Sequence, residues 1–252
     1  MAMQLPWLNP GDPLPDPRSA WGEADPVPGL LAAGGALDVH SLLRAYGQGV
    51  FPWFSDGQPI LWWCPEPRMT LATDGFRLHR SLRKTVHRFR NDHRCEIRID
   101  HDFRRVIEAC SRSDRPGQNG TWIVPEMVEA YVALHRAGHA HSVETWINDQ
   151  LVGGLYCVSI GRAVFGESMF TLQPDASKIA LAALVALCRH GHIKLIDCQQ
   201  NTGHLASLGA TEMPREQFLE HLARATTEAA PHWHFEPVYW TELLPATPFG
   251  ML

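Results

Sequence analysis

The chain has 252 residues, 45% of them hydrophobic and 19% charged, with a formal net charge of −5 at pH 7. This balance is typical of a soluble globular protein with a core large enough for one or two domains. No apolar run reaches the roughly 18 residues of a membrane-spanning helix, and the first residues lack the pattern of a secretory signal. We therefore expect a cytoplasmic protein that contacts no membrane.

The N-terminal part of the chain has the composition of a small, loop-rich unit. Residues 1–29 are rich in Pro, Gly and Asp, which predicts an extended segment with little regular structure. A short helix is predicted at residues 37–46, since two glycines follow its end. Residues 51–64 place a polar S-D-G-Q turn between two apolar stretches, which predicts a hairpin. We predict a first domain over residues 1–67.

The remainder, residues 68–252, is predicted to form a second domain in which strands and helices alternate. Strands are predicted at residues 69–73, 95–99, 140–147, 151–160, 163–170 and 194–197. Helices are predicted at residues 81–90, 103–110, 125–136, 176–189 and 215–228. Helices mixed with a central antiparallel meander indicate an α+β fold and argue against a doubly wound parallel sheet.

A basic segment interrupts this acidic chain. Residues 77–105 contain ten Lys and Arg against four acidic residues. Within the segment, Arg80, Arg83, Lys84 and Arg88 recur at three- or four-residue steps, so they share one face of the predicted helix. Such a face suits a polyanion, although an ordinary solvated helix surface has the same pattern.

The sequence gives little support for a metal site or for a cysteine nucleophile. The 14 histidines include no H-E-x-x-H pattern, and no carboxylate or cysteine stands beside a histidine pair at ligand spacing, so we expect no metal. Cys198 has His204 six residues later, which permits a Cys–His pair. Strand alternation places Cys198 on the opposite side from Asp197 and Gln199, however, and this favours a buried structural cysteine.

A string R-x-x-G-x-G at residues 44–49 matches the phosphate-binding pattern of coenzyme-A acetyltransferases. In those enzymes the glycines open a helix, whose free N–H groups face the phosphates. Here the string closes a predicted helix. Gly47 and Gly49 are therefore interpreted as C-terminal caps.

Seven short strings carry the specific signal of this sequence. In chain order they are G-L-L-A-A-G-G (29–35), G-V-F-P-W-F (49–54), I-L-W-W-C-P-E-P-R (60–68), G-T-W-I (120–123), G-E-S-M-F (166–170), L-I-D-C-Q (195–199) and H-L-A-S-L-G-A (204–210). Together, over residues 29–222, the chain closely resembles the leucyl/phenylalanyl-tRNA–protein transferase family. The resemblance implies a small N-terminal domain followed by a GNAT-like acyltransferase domain with a mixed, largely antiparallel sheet.

The resemblance also implies an activity. Members of this family are aminoacyltransferases that move Leu or Phe from aminoacyl-tRNA to the N-terminal α-amine of acceptor proteins. The expected acceptors carry N-terminal Arg or Lys and are thereby marked for N-degron degradation, with Met as a further candidate donor. The donor ester drives amide formation by itself, so no cofactor is expected. We expect a monomer.

By resemblance, Asp197 and Gln199 form the catalytic pair, and Glu167 is a third residue of the site. Gln199 would bind the ester or the incoming amine, while Asp197 polarises Gln199 or accepts a proton. Substrate-assisted proton transfer is an alternative to this relay, and a purely structural role is an alternative for Asp197. Glu167 would receive a cation, either the donor ammonium or a basic acceptor N-terminus.

The resemblance assigns further residues to substrate binding. Leu155 and Met169 would line an adaptable apolar pocket for the donor side chain, although both also fit an ordinary core. Trp53 and Trp122 would lie near the terminal adenosine, on which an indole can stack. The acceptor-stem phosphates would meet the basic helix through Arg80, Arg83, Lys84 and Arg88. His87 stands where the family often has Lys or Arg.

Three other functions fit parts of this sequence. Another aminoacyl-tRNA-dependent transferase, such as one that builds peptidoglycan bridges, is expected to contain two acyltransferase domains, for which this chain is short. A coenzyme-A-dependent enzyme of the GNAT type is disfavoured by the misplaced glycine string. A tRNA-binding module without catalysis would leave G-E-S-M-F and D-C-Q without a role.

Overall fold

The computed structural model describes residues 5–113 and 123–244 of the chain. Within them lie eleven strands and seven α-helices. The strands are β1 (Trp7–Leu8), β2 (Leu30–Gly34), β3 (Phe51–Pro52), β4 (Leu61–Trp63), β5 (Arg68–Ala72), β6 (Cys95–Ile99), β7 (Ala140–Ile147), β8 (Gln150–Ile160), β9 (Ala163–Thr171), β10 (Leu195–Gln199) and β11 (Thr211–Met213). The helices are α1 (Val39–Gly47), α2 (Arg80–Asn91), α3 (Phe103–Ser111), α4 (Pro125–Arg136), α5 (Ala176–His190), α6 (Gly203–Ser207) and α7 (Arg215–Ala225).

The strands form two sheets. The first has the order β1-β2-β4-β3, and the second has the order β11-β5-β10-β9-β8-β7-β6. In the second sheet every neighbouring pair is antiparallel except β9 and β10, which run parallel. The predicted α+β class is therefore confirmed, with mixed sheets. The division into domains at residue 67 stays a prediction.

Long, strongly patterned elements agree best with the sequence. Strands β6 and β7 and helix α4 have the predicted bounds. Pro125 pre-organises the first turn of α4, and the residues of β6 alternate between apolar and polar. The predicted hairpin is present as the antiparallel pair of β3 and β4. Helix α5 is buried almost all round, as its apolar composition predicts.

Several short elements have no counterpart among the predictions. Strand β2 consists of small and apolar residues that are nearly all buried, so it shows no alternation of polar and apolar positions. Helix α6 is only five residues long and is started by the Thr202 side chain, which accepts a hydrogen bond from the Leu205 N–H group at 3.3 Å. The edge strand β11 has three residues. These elements are specified by their neighbours more than by their own pattern.

Each face of the second sheet carries its own core. The first core contains residues of α1, α3, α4 and α7, including Tyr46, Tyr131 and Phe218, together with Phe165 of β9 and the first sheet. The second core contains residues of α2 and α5 and of the C-terminal segment 233–244. The N-terminal sheet and the larger sheet thus share the first core. In residues 5–113 and 123–244, no helix has the length and apolarity needed to cross a membrane.

Candidate active site

An opening in the middle of the second sheet provides the candidate site. Strands β9 and β10 pair at only two positions, Ile196 with Val164 and Asp197 with Phe165. Beyond these pairs β9 continues to Thr171, whereas β10 ends at Gln199. Residues 166–169 of β9 are partly exposed, although β9 is a central strand and its neighbour β8 is buried. The two strands therefore separate and leave backbone and side chains of β9 accessible.

A buried ion pair lies beside this opening. Arg68, the first residue of β5, donates to Asp197 from Nε to Oδ1 at 2.8 Å and from Nη2 to Oδ2 at 2.6 Å. Both side chains are almost fully buried, at 0% and 2% exposure. The third nitrogen, Nη1, donates to the carbonyl oxygen of Gly49 at 3.0 Å. Every nitrogen of the guanidinium thus has an acceptor, which is what a buried charge requires.

The surroundings of Arg68 favour its charged form. Its guanidinium lies between the rings of Phe51 and Phe218, with centroids at 4.9 and 4.5 Å. Burial alone lowers the pKa of Arg68, but the charge and hydrogen bonds of Asp197 outweigh burial and raise it. Both carboxylate oxygens of Asp197 are therefore engaged.

A bulge in β10 brings Gln199 to the same place. The register against β5 passes from Asp197 opposite Thr70 to Gln199 opposite Met69, so Cys198 is an extra residue. Gln199 has φ of +63°, a left-handed conformation that non-glycine residues rarely adopt. Its N–H group donates to Asp197 Oδ1 at 2.9 Å, and the carboxylate thereby holds the bulge.

The side chain of Gln199 bridges the opening. Its Nε2 donates to Glu167 Oε1 at 2.9 Å, across the gap between β10 and β9. The same carboxylate oxygen accepts a hydrogen bond from the Tyr46 hydroxyl at 2.7 Å. The Tyr131 hydroxyl lies 3.5 Å from the other oxygen, and it shares its single proton between that oxygen and the Tyr46 hydroxyl. Side chains from α1, α4 and β10 thus meet at one carboxylate, that of Glu167 on β9.

This environment alters the acidity of Glu167. Burial raises the pKa of Glu167 from its ordinary 4.5 to about 7. The hydrogen bonds from Tyr46 and Gln199 oppose the rise, while the negative charge of Asp197 adds to it. A carboxylate with a pKa near 7 exchanges a proton at neutral pH, which is the property of a general base or acid. Burial, followed by the charge of Glu167, also raises the pKa of both tyrosines well above 10.

Comparison with known proteins gives this cluster a context. The model of the leucyl/phenylalanyl-tRNA protein transferase N-terminal domain matches residues 35–66, and the model of leucyl/phenylalanyl-tRNA protein transferase matches residues 70–223. The chain belongs to the leucyl/phenylalanyl-tRNA protein transferase family. Relatives with that enzyme's name match almost the whole chain. One from Polaromonas sp. (strain JS666 / ATCC BAA-500) is 61% identical over 96% of this chain and 95% of its own.

Two further relatives with the name leucyl/phenylalanyl-tRNA--protein transferase match over a similar length. The protein from Albidiferax ferrireducens is 59% identical over 98% of this chain and 96% of its own. The protein from Methylibium petroleiphilum is 55% identical over 94% of this chain and 90% of its own. A solved structure of a functionally unknown conserved protein from Staphylococcus epidermidis ATCC 12228 has 8% identity over 73% of this chain and 68% of that chain. Its TM-score is 0.35, too low for any inference.

In this family member the three residues predicted to be catalytic lie together. Asp197, Gln199 and Glu167 are connected by the hydrogen bonds described above. Cys198 instead packs against the second core, and burial strongly raises the pKa of its thiol. Gly49 has φ of +77° after the end of α1, as expected of a C-terminal cap, and its N–H group donates to the Tyr46 carbonyl at 3.0 Å. That cap closes the helix that carries Tyr46.

The residues predicted to bind substrate are more dispersed. Leu155 and Met169 are direct partners across β8 and β9, and both pack against the second core. Leu155 is only 3% exposed, whereas Met169 is partly exposed at the opening. Trp53 is partly exposed next to β3, with its ring edge-on to Trp63 at 5.3 Å. Trp122 lies outside the described residues.

The basic helix is exposed as its sequence predicts. Helix α2 buries Leu82, Val86 and Phe89 against the second core. Arg80, Arg83, Lys84 and Arg88 are all exposed, and none of them forms an ion pair with an acid in the described part of the chain. The helix therefore presents an uncompensated cationic face. It lies on the opposite side of the second sheet from Tyr46 and Tyr131, which belong to the first core.

Three residues of the cluster are absent from the sequence-based site. Arg68 has a recognisable signal, because an arginine that opens the apolar strand M-T-L is a charge in need of a buried partner. Tyr46 and Tyr131 have none, since each occupies the apolar face of a helix, where an aromatic residue is ordinary core. Their contacts with Glu167 exist only in the folded chain.

Proposed function

We propose that this chain is an aminoacyltransferase that moves Leu or Phe from an aminoacyl-tRNA to the N-terminus of an acceptor protein. Membership of the transferase family carries this conclusion, through two family models that together cover residues 35–66 and 70–223. The cluster around Glu167 supports it, because it places a carboxylate that titrates near neutrality at an accessible opening.

The reaction requires one proton to be removed and one to be delivered. The acceptor amine attacks the ester carbonyl, a C–N bond forms, and the C–O bond to the tRNA ribose breaks. The amine loses a proton during attack, and the ribose oxygen gains one as it leaves. An α-amine has an ordinary pKa near 7.7–8.0, so a base with a pKa near 7 suffices. Glu167 is our candidate for that base.

Gln199 and Asp197 have different parts in this proposal. The Gln199 amide nitrogen is engaged by Glu167, while no described residue donates to its amide oxygen. We assign that oxygen to accept a hydrogen bond from the incoming amine. Both oxygens of Asp197 are engaged by Arg68 and the Gln199 N–H group, so we assign Asp197 to positioning Gln199. This assignment favours orientation over a proton relay through Asp197.

Finer points of the function are proposed on the family resemblance. We propose acceptors with N-terminal Arg or Lys, which are thereby directed to N-degron degradation, and Met as a further donor. A monomeric, cytoplasmic protein is proposed, with domains at residues 1–67 and 68–252. A GNAT-like fold is proposed for the second domain, and the parallel β9–β10 pair that separates within an otherwise antiparallel sheet supports it.

A coenzyme-A-dependent reaction is the second candidate, and the site argues against it. The string at residues 44–49 ends helix α1, and the carbonyl of Gly49 accepts a hydrogen bond from Arg68. A phosphate loop needs free N–H groups at the start of a helix. These glycines occupy the opposite end.

Transfer from charged tRNA tests the proposal directly. The purified chain is incubated with radiolabelled Leu-tRNA or Phe-tRNA and a protein with N-terminal Arg. The expected result is label in the protein fraction. The same acceptor with an acetylated N-terminus is the control and takes up no label. Failure of all donors to label the free acceptor would overturn the assignment, and label in the acetylated acceptor would overturn the assignment to the α-amine.

A further inference from the structure

A second basic surface lies in a cleft away from the basic helix. The cleft has a volume of about 500 Å³ and is formed by the turn before β9, the loop before β10 and the end of α7. Its charged and titratable lining residues are Arg162, His192, Lys194, His221, Arg224 and Glu228. Three segments that are distant in sequence thus contribute cationic side chains to one concave surface.

The cations of this cleft are only partly neutralised. Its one acid, Glu228, is engaged by Arg162 at 2.8 Å. Lys194 and Arg224 are exposed, and neither forms an ion pair within residues 5–113 and 123–244. Burial lowers the pKa of His221, and the positive charges of Arg224 and Lys194 lower it further, so both cations act on the cleft. The rest of the chain is acidic, with a formal net charge of −5 overall.

The guanidinium of Arg162 has one unsatisfied donor and is not fully neutralised by Glu228. The Nε atom of Arg162 is buried and has no hydrogen-bond partner among the described residues. A buried nitrogen of a charged guanidinium without an acceptor costs free energy unless a ligand supplies one. A phosphate group supplies several acceptor oxygens to an arginine.

The position of the cleft relates it to the candidate site. Lys194 stands immediately before β10 and five residues before Gln199, and Arg162 stands immediately before the parallel strand β9 and five residues before Glu167. At about 3.3 Å per residue, each path is roughly 16 Å long. Helix α7 packs into the first core, on the same side of the sheet as Tyr46. The cleft is therefore a short distance from Glu167 and separate from α2.

We propose that this cleft binds backbone phosphates of the donor tRNA close to its 3′ end. The inference rests on the proposed function, because an ester held at Glu167 leaves the preceding nucleotides within reach of a cleft about 16 Å away. In this proposal the ammonium group of Lys194 and the guanidinium of Arg224 contact the phosphate oxygens. Such contacts are independent of base sequence.

The test compares two donors with a double variant, Lys194→Ala with Arg224→Ala. Both side chains are exposed, so the fold is retained. The first donor is Phe-tRNA and the second is phenylalanyl-adenosine, which has the same ester but no phosphate. At about 0.7 kcal/mol per exposed contact, we expect kcat/KM for Phe-tRNA to fall about tenfold. We expect no change with phenylalanyl-adenosine, and wild-type values with both donors for the control Arg112→Ala with Arg136→Ala.

A variant that removes the negative charge of the cleft, and binding measurements at several salt concentrations, extend the test. Glu228→Gln removes the acid of the cleft and should raise kcat/KM for Phe-tRNA while leaving phenylalanyl-adenosine unchanged. The salt dependence of Phe-tRNA binding should become shallower in the double variant, by roughly 0.7–0.9 per lost contact. A slope equal to that of the wild type would overturn the proposal.

The remaining outcomes distinguish the tRNA from two different ligands of the cleft. Equal losses with both donors would assign the cleft to the acceptor protein and reject a phosphate role. If wild-type protein binds pyrophosphate in calorimetry, the double variant does not, and Phe-tRNA kinetics are unchanged, the site is one for free phosphates and the proposal is wrong. Failure of the proposed function itself is distinct, because the wild type would then transfer from neither donor.

Discussion

Arg68 and Asp197 form a doubly hydrogen-bonded ion pair that is almost completely buried, with Nε–Oδ1 and Nη2–Oδ2 distances of 2.8 and 2.6 Å. The pair joins the start of β5 to the bulge of β10 over 129 residues of sequence. Because Asp197 also accepts the Gln199 N–H group, this relationship sets the position of the amide that reaches Glu167.

Breaking the pair should destabilise the fold. Arg68→Met leaves Asp197 as an uncompensated buried charge, so we expect a loss of about 3–5 kcal/mol in the free energy of unfolding, measured by urea denaturation. Arg68→Met combined with Asp197→Leu removes both charges and should recover most of the stability. Transfer should stay low in the double variant, since Gln199 has lost its anchor. Restored transfer there would show that the pair has no positioning role.

Protonation of Glu167 should cause the fall of the transfer rate at low pH, which is the acid limb of the pH–rate profile. With a pKa of about 7, Glu167 is increasingly protonated below neutrality and loses its capacity to accept a proton. We expect kcat to fall about tenfold per pH unit below that pKa in single-turnover experiments. Glu167→Gln should lower kcat by roughly 10²–10⁴-fold and abolish the limb. Glu126→Gln, at an exposed position of α4, is the control. An unchanged limb in Glu167→Gln would exclude Glu167 as the base.

Tyr46 should affect the pH at which this acid limb begins. Its hydroxyl donates to Glu167 Oε1 at 2.7 Å and favours the ionised carboxylate. Tyr46→Phe removes that donor, so the acid limb should move to higher pH by about one unit, the equivalent of about 1.4 kcal/mol. Tyr131→Phe should move it less, since its contact with Glu167 is 3.5 Å long. A shift to lower pH in Tyr46→Phe would contradict the hydrogen-bond assignment.

The raised pKa of Glu167 also predicts how stability depends on pH. Between pH 4.5 and 7 the folded chain retains a proton on Glu167 that the unfolded chain releases. The contribution of this group to the free energy of unfolding therefore falls as pH rises through that window. Relative to Glu167→Gln, the wild type should lose at most about 3 kcal/mol between pH 4.5 and 8. Parallel stability curves for the two proteins would refute the shift.

The basic helix should contribute a salt-dependent part of donor binding. Lys84→Ala and Arg88→Ala each remove one exposed cation from α2. If α2 binds phosphates, each variant should weaken tRNA binding to a similar extent for different tRNA sequences. The slope of log K against log salt should shrink by somewhat under one unit per lost contact. Arg94→Ala, whose guanidinium is already paired with Asp92, is the matched control. Slopes identical to that of the wild type would place the tRNA elsewhere.

Local patterns were sufficient for the α+β class and for most long elements. Helix α4 begins at Pro125 and the residues of strand β6 alternate between apolar and polar, and these signals act over a few residues. The ordered strings that resemble the transferase family were sufficient for the activity, and they include Glu167, Asp197 and Gln199. Short elements such as α6 and β11 were not predicted, because segments of five or three residues are too short to show a periodic pattern.

What the tertiary structure decided is how those residues are connected. Asp197 and Gln199 approach each other because a bulge at Cys198 places Gln199 at φ of +63°, a conformation that only surrounding contacts maintain. The contact from Tyr46 to Glu167 spans 121 residues, and the rise in the Glu167 pKa comes first from burial. Burial and long-range hydrogen bonds depend on the whole packed chain, so no local pattern in the sequence specifies them.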